Sequence, residues 1–338
     1  MEIISLHHDQ RPQWKSELSQ AIASTEELLR ILEIDAQSLN LSQQAALDFP
    51  LRAPLSFVQR MRKGDPKDPL LLQVLPIKAE EETANDFSVD PLQEASFTPV
   101  PGLIHKYKNR VLLIGAQTCA INCRYCFRRH FPYQENRIDS EQLKSIISYI
   151  ENHTELDEVI LSGGDPLANN DRTLSKIIHA INQVSHIKRI RIHTRLPVVI
   201  PSRINDELLA WVADSACPIT FVIHSNHANE INSEVTLAIR QLIEQGCLIL
   251  NQTVLLKGIN DAPSTLIELS EALFNARIQP YYLNLLDRVS GSVHFEVNET
   301  EALEIYEQML SSTSGYLVPK LVRESPEVPY KLPHSPKL

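Results

Sequence analysis

The sequence predicts an α/β protein built on a partial, TIM-type (βα)6 barrel. Short apolar runs begin at residues 111, 158, 189, 218, 248 and 279, and amphipathic helical patterns separate them. After the first interval the runs recur about every 30 residues, the length of a unit that places parallel strands side by side. The whole stretch of about 180 residues is shorter than the roughly 250 of a complete eight-unit barrel. A doubly wound sheet is the alternative that the same alternation allows.

Residues 1–100 are predicted to form a helical N-terminal extension that ends in a linker. Its apolar side chains recur at helical spacing at Leu18, Ile22, Leu28, Leu29 and Leu32. Asp68 and Pro69, followed by LLLQVL, are typical of a further short helix start. Residues 78–102 are acidic and then interrupted by prolines, which predicts an irregular connection.

The barrel is assigned to residues 101–290, and residues 291–338 to a C-terminal helix and an extended strap. Apolar residues at helical spacing indicate helices near residues 138–150, 174–181 and 235–243. These helices follow the first, second and fourth predicted strands. The tail is rich in proline and contains Lys320, Lys331 and Lys337. Composition alone does not distinguish one of these lysines as reactive.

Composition restricts the class of function. The formal net charge is -10, which argues against a nucleic-acid surface because phosphate recognition needs clustered Lys and Arg. The sequence contains no basic stretch followed by an apolar leader and no apolar segment long enough to span a membrane. We therefore expect a cytoplasmic protein that does not associate with membranes. Five cysteines in 338 residues are too few for a disulfide scaffold. Small molecules are the expected partners.

Polar residues follow most of the predicted strands where each strand ends. In a parallel sheet these ends lie at one rim, where chemistry collects. We therefore expect one site to contain the loop after the first strand, Gly163-Gly164-Asp165-Pro166, Thr194-Arg195, His224-Ser225-Asn226-His227 and Asp287. Cys217 and Cys247 precede strands and are expected at the opposite face as buried filler.

The loop after the first strand carries Cys119, Cys123 and Cys126 in a C-x-x-x-C-x-x-C pattern. Three thiolates can hold three irons of a four-iron, four-sulfur cluster and leave the fourth iron open to S-adenosylmethionine (SAM). A reduced cluster can then cleave SAM to a radical. The alternative is a structural zinc site with His130 as the fourth ligand.

Other motifs support a binding rim. Gly163 and Gly164 suit close backbone approach to a ligand, here the SAM amino group, although a tight turn with Asp165 as a helix cap is the alternative. His224 and His227 are interpreted as hydrogen-bonding residues rather than metal ligands. One of the two arginines that follow the cysteines, Arg128 or Arg129, is expected to face a carboxylate.

The runs CAINCRYCFRRHFPY, LSGGDPL, HSNHANEIN, NQTVLLKGIND and SGYLVPKLVRE together resemble the lysine 2,3-aminomutase family of radical SAM enzymes. The resemblance covers about residues 102–331. The FRRHFPY run and the short C-terminus resemble the bacterial branch that makes β-lysine for modification of elongation factor P.

The resemblance implies an enzyme that uses pyridoxal phosphate (PLP) as well as SAM on a barrel of six βα units. The implied cluster ligands are the three cysteines, and Lys331 matches the lysine that binds PLP covalently. The remaining matches are Lys106, Tyr107 and Arg110 for the cofactor and its phosphate, His224 and Gln252 for SAM, Arg128 for the substrate carboxylate, and Asp287 and Glu324 for the distal ammonium of lysine. Gly163, Gly164 and Asp165 are assigned to SAM from their own motif.

Three departures from the family pattern occur. Position 106 is Lys where the family usually has Arg, and position 324 is Glu where many relatives have Asp. The segment before Lys331 is PEVPY, whereas relatives that act on free lysine metabolically have a glycine-rich segment there.

The implied function is an isomerase that converts L-lysine to β-lysine, with a reductant protein such as flavodoxin or ferredoxin as partner. A homo-oligomer is an option that the sequence leaves open, as is the choice between free and protein-attached lysine. One rival function is an aminomutase for another amino acid such as glutamate, although the two acids in the pocket would repel the side-chain carboxylate of glutamate. The other rival is a zinc-stabilised binding module.

Overall fold

The computed structural model describes residues 12–336, in which nine strands form one sheet. The strands are β1 Leu103–Tyr107, β2 Arg110–Ala116, β3 Glu158–Gly163, β4 Arg189–Thr194, β5 Ile219–His224, β6 Leu248–Val254, β7 Gln279–Asn284, β8 Lys320–Arg323 and β9 Leu332–Pro333. Each of the six predicted apolar runs forms a strand, β2 to β7. Runs rich in Val, Ile and Leu form such strands because both of their faces are buried.

The strands lie side by side in chain order from β1 to β9. Strands β2 to β8 pair in parallel, and β1 and β9 pair antiparallel at the two edges. Within residues 12–336 the two edges do not pair with each other, so the barrel is open. The predicted partial barrel is confirmed. The doubly wound alternative is wrong, because such a sheet reverses its strand order at a switch point.

Three strands were not predicted, namely β1, β8 and β9. Strand β1 reads LIHKY and is buried only over its first two residues, so it lacks the continuous apolar pattern of a central strand. Strands β8 and β9 contain four and two residues. Such short segments become strands only because a neighbouring edge supplies hydrogen bonds.

Eleven α-helices accompany the sheet in the described part of the chain. The extension contains α1 Gln13–Ser19, α2 Thr25–Leu32, α3 Gln43–Asp48 and α4 Leu55–Val58; the barrel contains α5 Ser140–Glu151, α6 Asp171–Asn182, α7 Leu196–Val199, α8 Asp206–Ala213, α9 Ser233–Glu244 and α10 Pro263–Asn275; and α11 Glu299–Ser312 follows. Side-chain oxygens cap the backbone N–H groups that begin several of these helices, at Asp139, Asn170, Asn205, Asn232 and Asn298.

The described part of the extension contains α1 to α4, and residues 1–11 lie outside the described residues. After Asp68 the chain forms a series of turns instead of the expected helix. The Asp68 carboxylate accepts hydrogen bonds from the N–H groups of Leu70 and Leu71 and so stabilises the first turn. The extension shares one hydrophobic cluster with the barrel, and the Arg203 guanidinium lies 4.4 Å from the ring centroid of Trp14.

The linker is irregular, as predicted, and contains two short 3-10 helices, Lys78–Glu81 and Glu94–Phe97. Two of its acids, Glu80 and Glu94, are buried and paired with arginines of the cysteine loop. The linker is therefore fixed against the barrel rim. Among residues 12–336, no helix is long and apolar enough to cross a membrane.

Candidate active site

The loops after β2 and β3 are in direct contact at the carboxyl end of the sheet. A Cβ atom added to Gly164 would lie 2.6 Å from the carbonyl oxygen of Thr118, in the cysteine loop. Gly163 has a φ of +108°, a conformation that residues with a side chain rarely adopt. The glycine pair is required because the two backbones pack without space for a side chain.

Cys119, Cys123 and Cys126 line one cavity of about 240 Å³. Burial raises the pKa of the Cys119 thiol well above its ordinary value and that of Cys126 to about 12, and the neighbouring thiols add to both shifts. Three neighbouring thiolates without a cation would repel one another, so this arrangement suits a group that brings positive charge. The three cysteines fit a cluster that binds each sulfur through a different iron.

The zinc alternative receives no support from the geometry. Among residues 12–336, no three His, Cys, Asp or Glu side chains converge closely enough for a single metal ion. His130 lines a different cavity, and its Nε2 lies 3.4 Å from the carbonyl oxygen of Ser290. Cys217 and Cys247 precede β5 and β6 at the opposite end of the strands, where both are buried, as expected.

Asp165 connects the ends of two strands. Its Oδ1 accepts hydrogen bonds from the Leu167 N–H and the Thr194 hydroxyl, and its Oδ2 accepts from the N–H groups of Arg195 and Leu196. The residue also caps the 3-10 helix that follows it. Both carboxylate oxygens are thus used by the protein, and Asp165 holds the rim on which the glycine pair lies.

Arg195, which was expected at the rim from the sequence, is the centre of a buried polar network whose other members were not predicted. Arg195 donates hydrogen bonds to Cys123 Sγ at 2.7 Å, to the Tyr125 hydroxyl at 2.9 Å and to Gln73 Oε1 at 2.6 Å, and pairs with Glu230 at 2.9 Å. The network joins the extension, the cysteine loop and the loops after β4 and β5. Separated residues such as these carry no shared local pattern that could have identified them.

His224 has partners at both ring nitrogens. Its Nδ1–H donates to the carbonyl oxygen of Gln252 at 2.9 Å, so Nε2 accepts from the Tyr125 hydroxyl at 2.8 Å. Burial lowers the pKa of His224 to about 3, with Arg195 as a further cause, so the ring is neutral. His227 lies away from the cavity and caps a 3-10 helix through Nδ1.

A second cavity of about 320 Å³ adjoins the first. The two share Phe127, Arg128, Ser162, His193, Gln252, Asp287 and Lys331. Five cationic side chains line the second cavity, Lys106, Arg110, Arg128, Arg191 and Lys331, against three anionic ones, Glu94, Asp287 and Glu324. The surplus of positive charge fits a phosphate-bearing ligand.

Lys331 lies directly before β9, and the pairing of β8 with β9 brings it to Glu324. Its Nζ is 3.2 Å from Glu324 Oε2 and donates to Asn284 Oδ1 at 3.0 Å. Glu324 also pairs with Lys106, and both of its carboxylate oxygens lie 2.8 Å from the Tyr107 hydroxyl, which shares its single proton between them. Burial alone would raise the pKa of Glu324, but Lys331 and Lys106 hold it below its ordinary value.

Asp287 differs from Glu324 because only burial and the charges around it shift its pKa, with no hydrogen bond or ion pair to its carboxylate among residues 12–336. Burial raises the pKa of Asp287 to about 6, an effect that Lys331 opposes. Asp287 is therefore the carboxylate in the cavity that is available to an incoming cation.

Arg128 lines both cavities and is already paired with Glu94. Its Nε and Nη2 donate to the two carboxylate oxygens at 2.8 and 2.6 Å, and Nη1 donates to the Ser162 hydroxyl at 3.1 Å. Burial alone would lower the pKa of Arg128, but Glu94 reverses the shift and keeps the guanidinium charged. Arg129 instead pairs with Glu80 outside these cavities.

His193 and Arg191 were not singled out in the sequence, although both lie on β4 and line the second cavity. His193 also lines the first cavity, and its Nε2 is buried without a hydrogen-bond partner among the described residues. Burial, together with Arg191 and Lys331, lowers the pKa of His193 well below its ordinary value. A neutral imidazole thus lies where the two cavities meet.

The structure brings the predicted site residues together in these two cavities. The first contains the three cysteines, Gly163, Gly164, Asp165, His224 and Gln252, and the second contains Lys106, Tyr107, Arg110, Asp287, Glu324 and Lys331. Arg110 has no carboxylate partner among residues 12–336, and its guanidinium lies 3.7 Å from the ring centroid of Tyr107. It is the cation most available to a phosphate.

Known proteins resemble this chain over nearly its whole length. A profile of the radical SAM superfamily matches residues 113–269. L-lysine 2,3-aminomutase of Escherichia coli (strain K12) is 47% identical over 98% of this chain and 97% of that protein. The protein of that name from Buchnera aphidicola subsp. Baizongia pistaciae is 48% identical over 93% of this chain and 92% of its own length. The Clostridium subterminale protein is 34% identical over 96% of this chain and 78% of its own length.

Proposed function

The chain belongs to the L-lysine 2,3-aminomutase family of radical SAM enzymes, and from this premise we propose that it converts L-lysine to β-lysine with the help of a four-iron, four-sulfur cluster, SAM and PLP. The observation that carries the proposal is the pair of adjoining cavities. One contains the cysteines and the other contains Lys331 among surplus cations, and they share the residues at their junction.

Each cofactor has residues that fit it. Cys119, Cys123 and Cys126 would hold the cluster, Lys331 would bind the PLP aldehyde, and Arg110 would bind its phosphate. When bound, the cluster and SAM supply a radical that removes a hydrogen atom, and PLP supplies a π-system that carries the migrating nitrogen. Arrangement in adjoining cavities allows both to act on one substrate.

The protein side chains position the substrate and exclude water. Arg128 would bind the carboxylate of lysine, and Asp287 its distal ammonium. Binding of the carboxylate and the distal ammonium would fix the carbon chain of lysine between the cavities. The reacting carbon would then stay in place after the radical has removed its hydrogen atom. Burial of this region keeps water from a reactive carbon centre.

The acids of the second cavity favour lysine over glutamate. Asp287 is half-buried and forms no ion pair among the described residues, so a side-chain carboxylate placed beside it would be repelled. An ammonium at the same place gains an ion pair. The charge pattern therefore supports lysine as the substrate.

We also propose that the β-lysine formed serves modification of elongation factor P. This rests on the FRRHFPY run, which resembles that of the branch with this role. A reductant protein such as flavodoxin or ferredoxin would reduce the cluster, and thiolate ligands suit a reducing, cytoplasmic location.

The proposed reaction is tested by anaerobic incubation of the reconstituted protein with lysine, SAM, PLP and dithionite. We expect β-lysine with lysine as substrate and no corresponding product with glutamate. In parallel, borohydride reduction followed by peptide mapping should place a pyridoxyl label on Lys331, and the label should disappear in Lys331→Ala. A label on Lys320, or no β-lysine from protein with full cluster and PLP content, would contradict the proposal.

A further inference from the structure

Glu94 is the nearest ionic partner of the arginine that is proposed to bind the substrate carboxylate. Both side chains are buried, at 10% and 7% exposure, and their bidentate contact has donor to acceptor distances of 2.8 and 2.6 Å. Glu94 belongs to the linker, whereas Arg128 belongs to the cysteine loop. A residue outside the barrel thus contacts the centre of the site.

Arg128 has N–H donors that neither Glu94 nor Ser162 uses. A guanidinium has five N–H groups. Two donate to Glu94 and one to Ser162. Of the two that remain, one belongs to Nη1 and one to Nη2. The remaining Nη2–H lies on the edge of the planar group away from Nε, which Glu94 leaves free, so a substrate carboxylate can accept from that edge while Glu94 stays bound.

The backbone around Glu94 is itself fixed. The Glu94 N–H donates to Asp90 Oδ1 at 3.1 Å, and the Thr98 hydroxyl donates to the Glu94 carbonyl oxygen at 2.8 Å. An arginine side chain loses much rotational freedom when it is held in one orientation. Because Glu94 and Ser162 already impose that orientation, a ligand does not have to bear this cost.

We propose that Glu94 is a positioning residue, which fixes the free edge of Arg128 toward the cavity and so gives the site its selectivity for ligands with an α-carboxylate. This inference rests on the proposed function, because it assumes that lysine is the ligand. It assigns a role in substrate selection to the linker, outside the barrel strands and the loops that hold the other site residues.

The test compares lysine with 1,5-diaminopentane, the diamine that remains when the carboxylate of lysine is removed. Binding is measured by calorimetry on the enzyme loaded with cluster and PLP, without SAM. In Glu94→Gln the amide N–H₂ faces an N–H of Arg128 and the bidentate contact is lost. We expect lysine affinity to fall roughly tenfold to a hundredfold and diamine affinity to stay unchanged. Glu94→Asp, which keeps the charge, should retain more lysine affinity than Glu94→Gln.

Asp171→Asn is the matched control, because Asp171 forms a buried pair with Arg203 that lines neither cavity. This variant should lower the stability of the fold but change the affinities for lysine and for the diamine by the same factor. If Glu94→Gln weakens both ligands equally, Glu94 serves only the fold; if it tightens lysine, Glu94 occupies the carboxylate site. Either result overturns the inference, and Glu94→Asp carries the same comparison if Glu94→Gln does not fold. A parent enzyme that binds neither ligand would refute the proposed function itself.

Discussion

At the scale of single residues, the two acids of the second cavity differ in what they already bind. Glu324 is surrounded by Lys106, Tyr107 and Lys331, whereas Asp287 has no such partner in the described chain. An ammonium that approaches Glu324 must compete with Lys106, whose own ammonium already pairs with it. Asp287 can accept a new cation without losing an old one. The protonation of Asp287 should therefore control substrate binding.

We predict that lysine affinity falls as the pH drops through about 6. Burial raises the pKa of Asp287 to about 6, and only the ionised carboxylate attracts an ammonium. Affinity is full above this pKa and should decrease by up to about tenfold per pH unit below it. Asp287→Asn should bind lysine weakly and lose this pH dependence. Calorimetric titrations of lysine between about pH 5 and about pH 8 provide the measurement.

Glu324→Gln is the comparison for this prediction. The pKa of Glu324 is held below its ordinary value, so this carboxylate stays ionised throughout that range. Its replacement should keep a fall in affinity but move it below pH 6, because the Glu324 charge helps to raise the pKa of Asp287. An Asp287→Asn variant with the same pH profile as the parent would show that another group titrates.

The five cysteines provide a second prediction at this scale. Replacing Cys119, Cys123 and Cys126 together with Ala should abolish cluster assembly, because their sulfurs line the cavity. The double variant Cys217→Ala, Cys247→Ala should assemble the cluster normally, because both residues lie at the other end of the strands. Iron, sulfide and zinc analysis after anaerobic reconstitution measures this. Full iron content in the triple variant, or stoichiometric zinc in the parent, would be incompatible with the cluster assignment.

At the scale of elements, the site depends on loops that pack against one another. The loop after β3 contacts the loop after β2 through Gly164, and Asp165 ties the end of β3 to the start of α7 at Leu196. The strand ends position these loops, and the loops position the cysteines. A change that separates two loops should therefore affect the cluster before it affects the sheet.

We predict that Gly164→Ala impairs cluster binding. The added Cβ would lie within 3 Å of three backbone atoms of Thr118, which cannot rotate away as a side chain can. Overpacking of this kind costs about 1–3 kcal/mol and would displace the cysteine loop. Gly315→Ala is the control, because no heavy atom lies within 4 Å of its added Cβ. Iron content and melting temperature are measured for both, and equal iron content in the two variants would contradict the packing argument.

At the scale of the whole molecule, the extension and the barrel share one hydrophobic core. Trp14 and Phe57 of the extension belong to the same buried cluster as Trp211 and the barrel strands. Arg60 donates to the carbonyl oxygens of Val198 and Glu230, so polar contacts cross the same boundary. Two parts that share a core should unfold together.

We predict that the extension and the barrel unfold in one transition. The chain has two tryptophans, one in each part, so Trp211→Phe leaves Trp14 as the reporter of the extension and Trp14→Phe leaves Trp211 as the reporter of the barrel. In each variant the fluorescence midpoint should coincide with the midpoint from far-ultraviolet circular dichroism. An earlier fluorescence transition in the Trp14 reporter would show an independently unfolding extension.

The sequence by itself determined the parts of this protein that depend on local pattern. The six central strands follow from apolar runs, the cysteine loop from its spacing, and the rim from the rule that parallel strands end at one edge. These features depend on neighbouring residues, whose periodicity is visible along the chain. The sequence resemblance also identified the family and proposed Lys331, Arg128 and Asp287 for their roles.

Only the tertiary structure decided which charged groups are paired and which are free. Lys106 and Glu324 are 218 residues apart, Arg195 and Gln73 are 122 apart, and each pair meets because separate strands and loops end at the same rim. No local periodicity encodes such a meeting. The difference between a saturated Glu324 and a free Asp287, and the contact of Glu94 with Arg128, follow from packing in three dimensions, because the energy of a buried charge depends on every group around it.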